Sequence, residues 1–567
     1  MNIHAIYHEP DSRFCFPTDE KTVEITLRTA AGEKIERVEL VYGSKYDFYL
    51  KQNTALMKKK YTDDLYDWYF YRLSLEDVRL VYIFKLVTNE GEFFFSEEGL
   101  SKEYDYSKAY FSSFQYSYIN KNDVMSAVPW LTNAVVYQIF PERFCRGDFE
   151  KDDSYINLKF GEKPTPKSFA GGDLKGIITK LDYIKSLGTT VIYLTPVFGS
   201  ISNHKYDIFD YYNVDRQFGK NEDLKELISK AHSLGMRVLL DAVFNHASER
   251  LPQFQDVCEK GRESEYFDWF IVHGDSINKE RDNYECFAAC KYMPKLNTSC
   301  EALQNYLCGI ATYWIKEYDA DGWRLDVSDE VSHDFWRRFR KEVKAVKKDA
   351  AIIGENWHNS EQFLRGDQFD SIMNYSFTKA CMDFFVDKSL NAESFSKRLV
   401  SLKMRNNSRV NSEMLNLLDC HDTHRFYTLL NKNLKSLHCA LALLFMYEGA
   451  SMIYYGTEVP MEGGYDPDCR RIMDFVNEKE ETPTFKLIKA LASLKMRKEF
   501  SEGDIDFKAE GNIFMLRRYA EEKEVCYAVN ITKERSSLNC PGKLLINEGF
   551  KNGNLEGESF VIWEVNR

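Results

Sequence analysis

Eight short apolar segments, each followed by a stretch of helical spacing, fill the middle of the chain: residues 134–140, 190–194, 237–244, 322–326, 351–355, 371–374, 415–418 and 452–455. That order constrains the fold more than any other feature. Eight strands alternating with helices fit a closed parallel (β/α)8 barrel, a TIM barrel, better than a doubly wound open sheet. Between the third and fourth segments, about 247–300 lacks a helical period and is rich in Phe, Tyr and Asp, which predicts a subdomain inserted after strand 3. Ahead of the barrel, runs such as Thr22-Val-Glu-Ile-Thr-Leu-Arg28 and Leu80-Val-Tyr-Ile-Phe-Lys-Leu86 alternate with period two and are broken by Gly, Asp and Asn. This is the pattern of a β-sandwich. Alternation returns at Ile513-Phe-Met-Leu-Arg-Arg-Tyr519 and Val525-Cys-Tyr-Ala-Val-Asn530. The expected α/β organisation is an N-terminal β-sandwich at 1–121, the barrel with its insert at 122–485, and a C-terminal β-sandwich at 486–567.

Charge limits the choice of partner. With 75 basic against 88 acidic residues the formal net charge is −13, which argues against a nucleic acid and fits a neutral ligand. Forty Phe and 35 Tyr supply flat surfaces suited to ring-shaped ligands. The 13 Cys include no zinc-type C-x-x-C pair, so reduced thiols are expected rather than a disulfide framework. The first ten residues carry no basic patch leading into an apolar run, and the longest apolar stretch, 439–447, is too short to span a bilayer. A cytoplasmic protein with no membrane partner is expected.

Polar residues gather where four of the predicted strands end. The third ends Asp241-Ala-Val-Phe-Asn-His246, and the fourth reads Gly322-Trp-Arg-Leu-Asp326, where Arg324 and Asp326 are two apart and share a side. The fifth ends Gly354-Glu355-Asn356-Trp357-His358, and the seventh Leu418-Asp-Cys-His421-Asp422. Singly, an Asp after a strand is usually a helix cap, and an Arg–Asp pair a structural ion pair. Together, on the carboxyl rim of one barrel, they crowd acids, imidazoles and a guanidinium where catalytic groups of this fold sit, and such crowding shifts pKa values.

In this order and at these spacings, the four segments resemble the signature regions of the α-amylase family, glycoside hydrolase family 13. Ser168-Phe-Ala-Gly-Gly-Asp-Leu174, Asn203-His-Lys-Tyr-Asp207, Met293-Pro-Lys-Leu-Asn297 and Gly463-Gly-Tyr-Asp-Pro-Asp-Cys-Arg470, with the N-terminal β-domain, are similar to the neopullulanase, cyclomaltodextrinase and maltogenic amylase group. The resemblance implies a retaining hydrolase of α-1,4 bonds in cyclodextrins, maltodextrins and pullulan, with some α-1,6 cleavage and transfer to sugar acceptors as further capacities. Asp326 matches the nucleophile, Glu355 the acid/base and Asp422 the third acid that holds the distorted sugar. Arg324 would keep Asp326 ionised, and His246 and His421 would bind hydroxyls of the same ring. Tyr206 would stack on that ring, Asp466 and Arg470 would hold the next one, Trp357 would form the acceptor platform and Phe287 a hydrophobic wall beside it. Asn356 departs from the group, which usually carries an aliphatic residue there.

A homodimer through the N-terminal domain is also implied. Alternatives are an oligo-α-1,6-glucosidase, which lacks such a domain, and a silent amylase-like scaffold, against which all three acids stand. Several members hold Ca²⁺ after the first barrel strand through an Asn-Gly-Asp-x-x-Asn-Asp run and a Gly-Gly-Asp segment. Here the stretch reads Arg146-Gly-Asp148-Phe-Glu-Lys151-Asp152, with Gly171-Gly172-Asp173 beyond. Arg146 and Lys151 offer no oxygen to a metal, so no bound metal and no cofactor are expected, the two cations tying Asp148, Asp152 and Asp173 together instead.

Overall fold

The computed structural model describes residues 1–475 and 481–567. They form two compact units, one of Met1–Ala127 with Leu390–Asn411 and Asp506–Met515, the other of Val128–Ser389 with Ser412–Ile505 and Leu516–Arg567. In the first unit nine strands form an antiparallel sheet in which Asn53–Thr62 pairs with Ile35–Ser44 on one side and Tyr66–Ser74 on the other. Period-two alternation puts Val23, Ile25, Leu27, Val38, Leu40, Leu80, Tyr82 and Phe84 into one core. His8 lies within it, its Nε2 2.7 Å from the Tyr82 hydroxyl and its Nδ1 2.8 Å from the Thr26 carbonyl, and burial pushes its pKa down to about 3.

The second unit holds the barrel. Its strands are β1 (Val135–Ile139), β2 (Val191–Leu194), β3 (Arg237–Ala242), β4 (Gly322–Leu325), β5 (Ala351–Gly354), β6 (Ser371–Ile372), β7 (Leu415–Leu417) and β8 (Ala450–Tyr454). They pair in parallel in the order 6-5-4-3-2-1-8-7, and a parallel bridge between Met373 and Leu415 closes the ring. Strands buried on both faces read as apolar runs. Val136, Val191, Tyr193, Leu239, Ile353, Leu417 and Met452 fill one shared core, whereas Trp323 sits near Phe198 and Phe244. The insert has little regular structure beyond the helix Pro252–Lys260. The bridge His246↔Lys295 stitches it to the exit of β3, and Phe270↔Leu296 and Cys286↔Pro294 tie it to itself. Near the C-terminal end of the sequence, Lys523–Asn530, Ser536–Ser537 and Lys543–Lys551 each pair antiparallel with Asn554–Asn566. All 13 cysteines are unbonded thiols, and among the described residues no helix is long and apolar enough to cross a membrane.

Register positions the site. Asp241 on β3 lies opposite Arg324 on β4, and the ladder runs on past the strand ends as Asp326 N–H donates to the Ala242 carbonyl (3.0 Å) and Glu355 N–H to that of Leu325 (2.9 Å). The acids that follow β4 and β5 are therefore neighbours by backbone pairing alone.

Candidate active site

Arg324 is the hub. Its Nη1 donates to Asp326 Oδ1 (2.7 Å) and to both oxygens of Asp241 (3.0 and 3.1 Å). Its Nη2 lies 2.8 Å from Glu355 Oε2 without the alignment of a hydrogen bond. Glu355 Oε2 instead accepts from the Val327 amide (3.0 Å), and Oε1 from the Trp357 indole (3.3 Å). Burial pushes Asp241, Asp326 and Glu355 upward, Asp241 to about 6. The guanidinium pulls all three down, and the neighbouring carboxylates push them up again.

Amides fix both imidazoles. Gln138 on β1 donates to Nδ1 of His421 (2.9 Å), which leaves the ring proton on Nε2, 2.6 Å from the Tyr206 hydroxyl and 3.2 Å from Asp422 Oδ2. The Tyr206 hydroxyl in turn donates to Asp241 Oδ2 (3.0 Å), as that of Tyr193 does (2.7 Å). The Asn245 amide lies 3.3 Å from His246 Nδ1 and accepts from Lys295. The His246 Nε2 it leaves is buried, without a protein partner, 4.0 Å from Asp326 Oδ2. Burial holds both rings neutral, pushing His246 down to about 3 and His421 well below the usual histidine range.

Every residue expected from the sequence lies in this unit, and contacts link each into the constellation. Arg470 joins Asp422 (3.2 Å) and Asp466 (3.0 Å) and donates to the His421 carbonyl (2.8 Å). Phe287 stacks on His246 with ring centres 4.7 Å apart, which places the insert directly against the site. Trp357 is 52% exposed and lies flat on Tyr375 at 3.7 Å. Four partners escaped the sequence reading: Gln138, Tyr193 and Tyr375 come from runs with no motif, and Ser328 follows the Asp326 segment without chemistry of its own. Asp241 was visible as a strand-end acid but without its role under Arg324. Asn356 is buried. Its Oδ1 accepts from Ser328, and its Nδ2 has no protein partner.

The chain is similar to known proteins along most of its length. A model of the α-amylase catalytic domain matches residues 138–500, and one of the α-amylase N-terminal ig-like domain matches residues 1–120. The chain belongs to the α-amylase family. That makes it an α-glucan hydrolase, as the strand-end segments imply. It is 42% identical to a cyclomaltodextrinase of Thermoanaerobacter pseudethanolicus over 94% of this chain and 93% of that one. It is 38% identical to neopullulanase 2 of Thermoactinomyces vulgaris over 95% and 92%. A solved cyclomaltodextrinase superposes with a TM-score of 0.91 at 34% identity, covering 100% of this chain and 98% of that one.

In the loop after β1, Lys151 Nζ lies 2.8 Å from the carbonyl oxygens of Gly171 and Gln217 and 2.9 Å from Asp173 Oδ2. Asp173 also caps the helix Leu174–Thr179 and accepts from the amides of Gly147 (3.0 Å) and Asp148 (3.0 Å). The expected network is narrower than two cations tying three acids. Arg146 turns outward to Asp153 (3.2 Å), Asp148 pairs with Lys175 (2.8 Å), and Asp152 accepts from the Ser154 amide (3.0 Å). Lys151 thus sets its ammonium among oxygens of the kind that a Ca²⁺ ion would use. Cys420, His421 and Asp422 also form a donor cluster, but Gln138 and Tyr206 engage both nitrogens of His421.

Proposed function

We propose that this enzyme hydrolyses α-1,4 bonds of cyclodextrins, maltodextrins and pullulan with retention, Asp326 attacking the anomeric carbon and Glu355 serving as acid and then base. The arrangement around Arg324 carries the reading. One guanidinium cannot neutralise Asp241, Asp326 and Glu355 together, so the buried cluster keeps a proton. Aligned hydrogen bonds hold Asp326 and Asp241 as anions, and Glu355, facing Arg324 without one, keeps the proton. That proton goes to the glycosidic oxygen as Asp326 closes on the sugar. Glu355 then takes a proton from the water that releases the product. His246 Nε2–H, His421 and Asp422 bind the ring's hydroxyls, Tyr206 stacks on its apolar face, Asp466 and Arg470 hold the next ring, and the Trp357–Tyr375 stack receives the acceptor sugar. Asp326→Asn and Glu355→Gln each abolish maltodextrin hydrolysis while leaving the melting temperature near normal, and the first products are α-anomers by proton NMR. Near-normal turnover by either variant, or early β-anomers, refutes the mechanism.

Three further readings go with this one. The protein works in the cytoplasm; two relatives are intracellular maltogenic amylases, from Bacillus subtilis. It acts as a homodimer through its N-terminal domain, where Tyr110 and Phe111 stand 59% and 84% exposed although Tyr104 and Tyr106 pack inward near Phe94 and Phe48. And it needs no Ca²⁺ after β1, because Lys151 supplies a positive charge of its own to Asp173.

A further inference from the structure

Val327, directly after the nucleophile, has φ +44°. A β-branched residue adopts that left-handed conformation only where its surroundings enforce it. The conformation aims the Val327 amide at Glu355 Oε2. Ser328, the next residue, is fully buried. Its hydroxyl lies 3.1 Å from the Glu355 carbonyl oxygen and within hydrogen-bond reach of Asn356 Oδ1. A hydroxyl has one proton. Turning the Asn356 amide over lets Nδ2 donate to Ser328 Oγ and frees that proton for the Glu355 carbonyl, so the pair is joined in either orientation. Trp336 Nε1 anchors the Ser328 carbonyl from behind (2.8 Å), and Gly354 keeps the space open, since a Cβ there would come within 2.9 Å of Ser328 Oγ.

We propose that Ser328 and Asn356 are positioning residues: a buried polar clasp that locks the turn after the nucleophile to the turn after the acid/base and so holds the Val327 amide on the Glu355 carboxyl. This rests on Glu355 being the acid/base. The groups facing that carboxyl are Asp241 of β3, Arg324 of β4, Asp326 just after it, Asp422 and the Cys420 thiol from beyond β7, and the phenols of Tyr193 and Tyr375. None of them changes when the clasp is removed, whereas the Val327 bond, which favours the ionised form, is weakened. Glu355 then keeps its proton to higher pH while standing less accurately under the bond it must protonate.

The test compares Ser328→Ala, Asn356→Val and the double variant with the parent. All three should show the alkaline limb of the kcat/KM profile displaced upward. On maltodextrin kcat should fall about tenfold with KM little changed. On a nitrophenyl maltoside, whose leaving group needs no proton, the loss should be much smaller. The double variant, which leaves neither partner without the other, should melt no lower than the worse single variant and be no less active. An unmoved alkaline limb in the folded double variant, or equal losses on both substrates, overturns the clasp. Glu355→Gln is assayed alongside. If it hydrolyses maltodextrin, the acid/base assignment itself fails; if it is dead and the limb is unmoved, only the clasp fails.

Discussion

Arg324 turns a row of strand-end acids into a device with unequal members. Its five donors in a rigid fork reach Asp241 and Asp326 at once, with Glu355 2.8 Å from the second nitrogen. A lysine ammonium carries the same charge but cannot hold that geometry. Arg324→Lys should therefore fold and yet lose on the order of 100-fold or more in kcat, because the anionic nucleophile loses its aligned donor; activity within a few-fold of the parent contradicts the assignment. The residues of this site were legible where strand position and spacing act: Asp326, Glu355 and Asp422 end strands, and Arg324 shares a side with Asp326. Gln138, Tyr193 and Tyr375 were not, because each acquires its partner from a strand or loop far away in sequence, such as His421, 283 positions from Gln138. Nor can sequence show that an ordinary-looking Val takes a left-handed turn.

At the scale of elements, the barrel is held at its base by charge as well as by its apolar core. Asp321, just before β4, accepts from the Val238 amide (2.8 Å), Arg237 (2.8 Å) and Lys347 (2.8 Å) and lies 2.6 Å from His232 Nε2. It is fully buried, yet these partners outweigh the cost of burial and hold its pKa down to about 2. A carboxyl depressed on folding stabilises the protein above its unfolded pKa and loses that contribution as pH falls through the folded value. The contribution is about 2 kcal/mol at neutral pH, lost between roughly pH 4 and pH 2. Asp321→Asn should lower the melting temperature at pH 7 by several degrees and by less with each step below pH 4; a constant deficit across that range contradicts this account. The strands themselves were legible because apolar runs of this length, repeated eight times, have one economical arrangement. The insert was legible only as an absence of period, since its geometry comes from isolated bridges rather than repeating ones. The loop after β1 was half legible: the chemistry of Lys151 excludes it as a metal ligand, but which acid it joins depends on the fold. With its ammonium on Asp173 and two carbonyls, chelators should leave activity and melting temperature unchanged, whereas Lys151→Ala, which strands a buried carboxylate, should melt several degrees lower. A chelator-induced drop in melting temperature that Ca²⁺ reverses would show that a metal is held here after all.

For the molecule as a whole, the alternation of the N-terminal sequence announced a β-domain but could not say which of its many aromatic residues are core. The structure divides them. Phe48, Tyr104 and Tyr106 pack together, whereas Tyr110 and Phe111 remain in contact with solvent, 5.9 Å apart and with Lys45 above Tyr110. The Arg79 guanidinium lies over Tyr118, a third exposed ring of this domain. Exposed aromatic rings beside basic side chains suit the proposed dimer contact. A two-fold contact uses each such residue twice, so one substitution removes two anchors. Light scattering at micromolar concentration should give twice the 66.4 kDa mass of the chain. Phe111→Ser with Tyr110→Ser should shift that mass toward the single chain without changing the melting profile of the first unit, because neither ring belongs to its core. A parent enzyme that is monomeric at that concentration removes the dimer, and a double variant that stays dimeric moves the interface to another face.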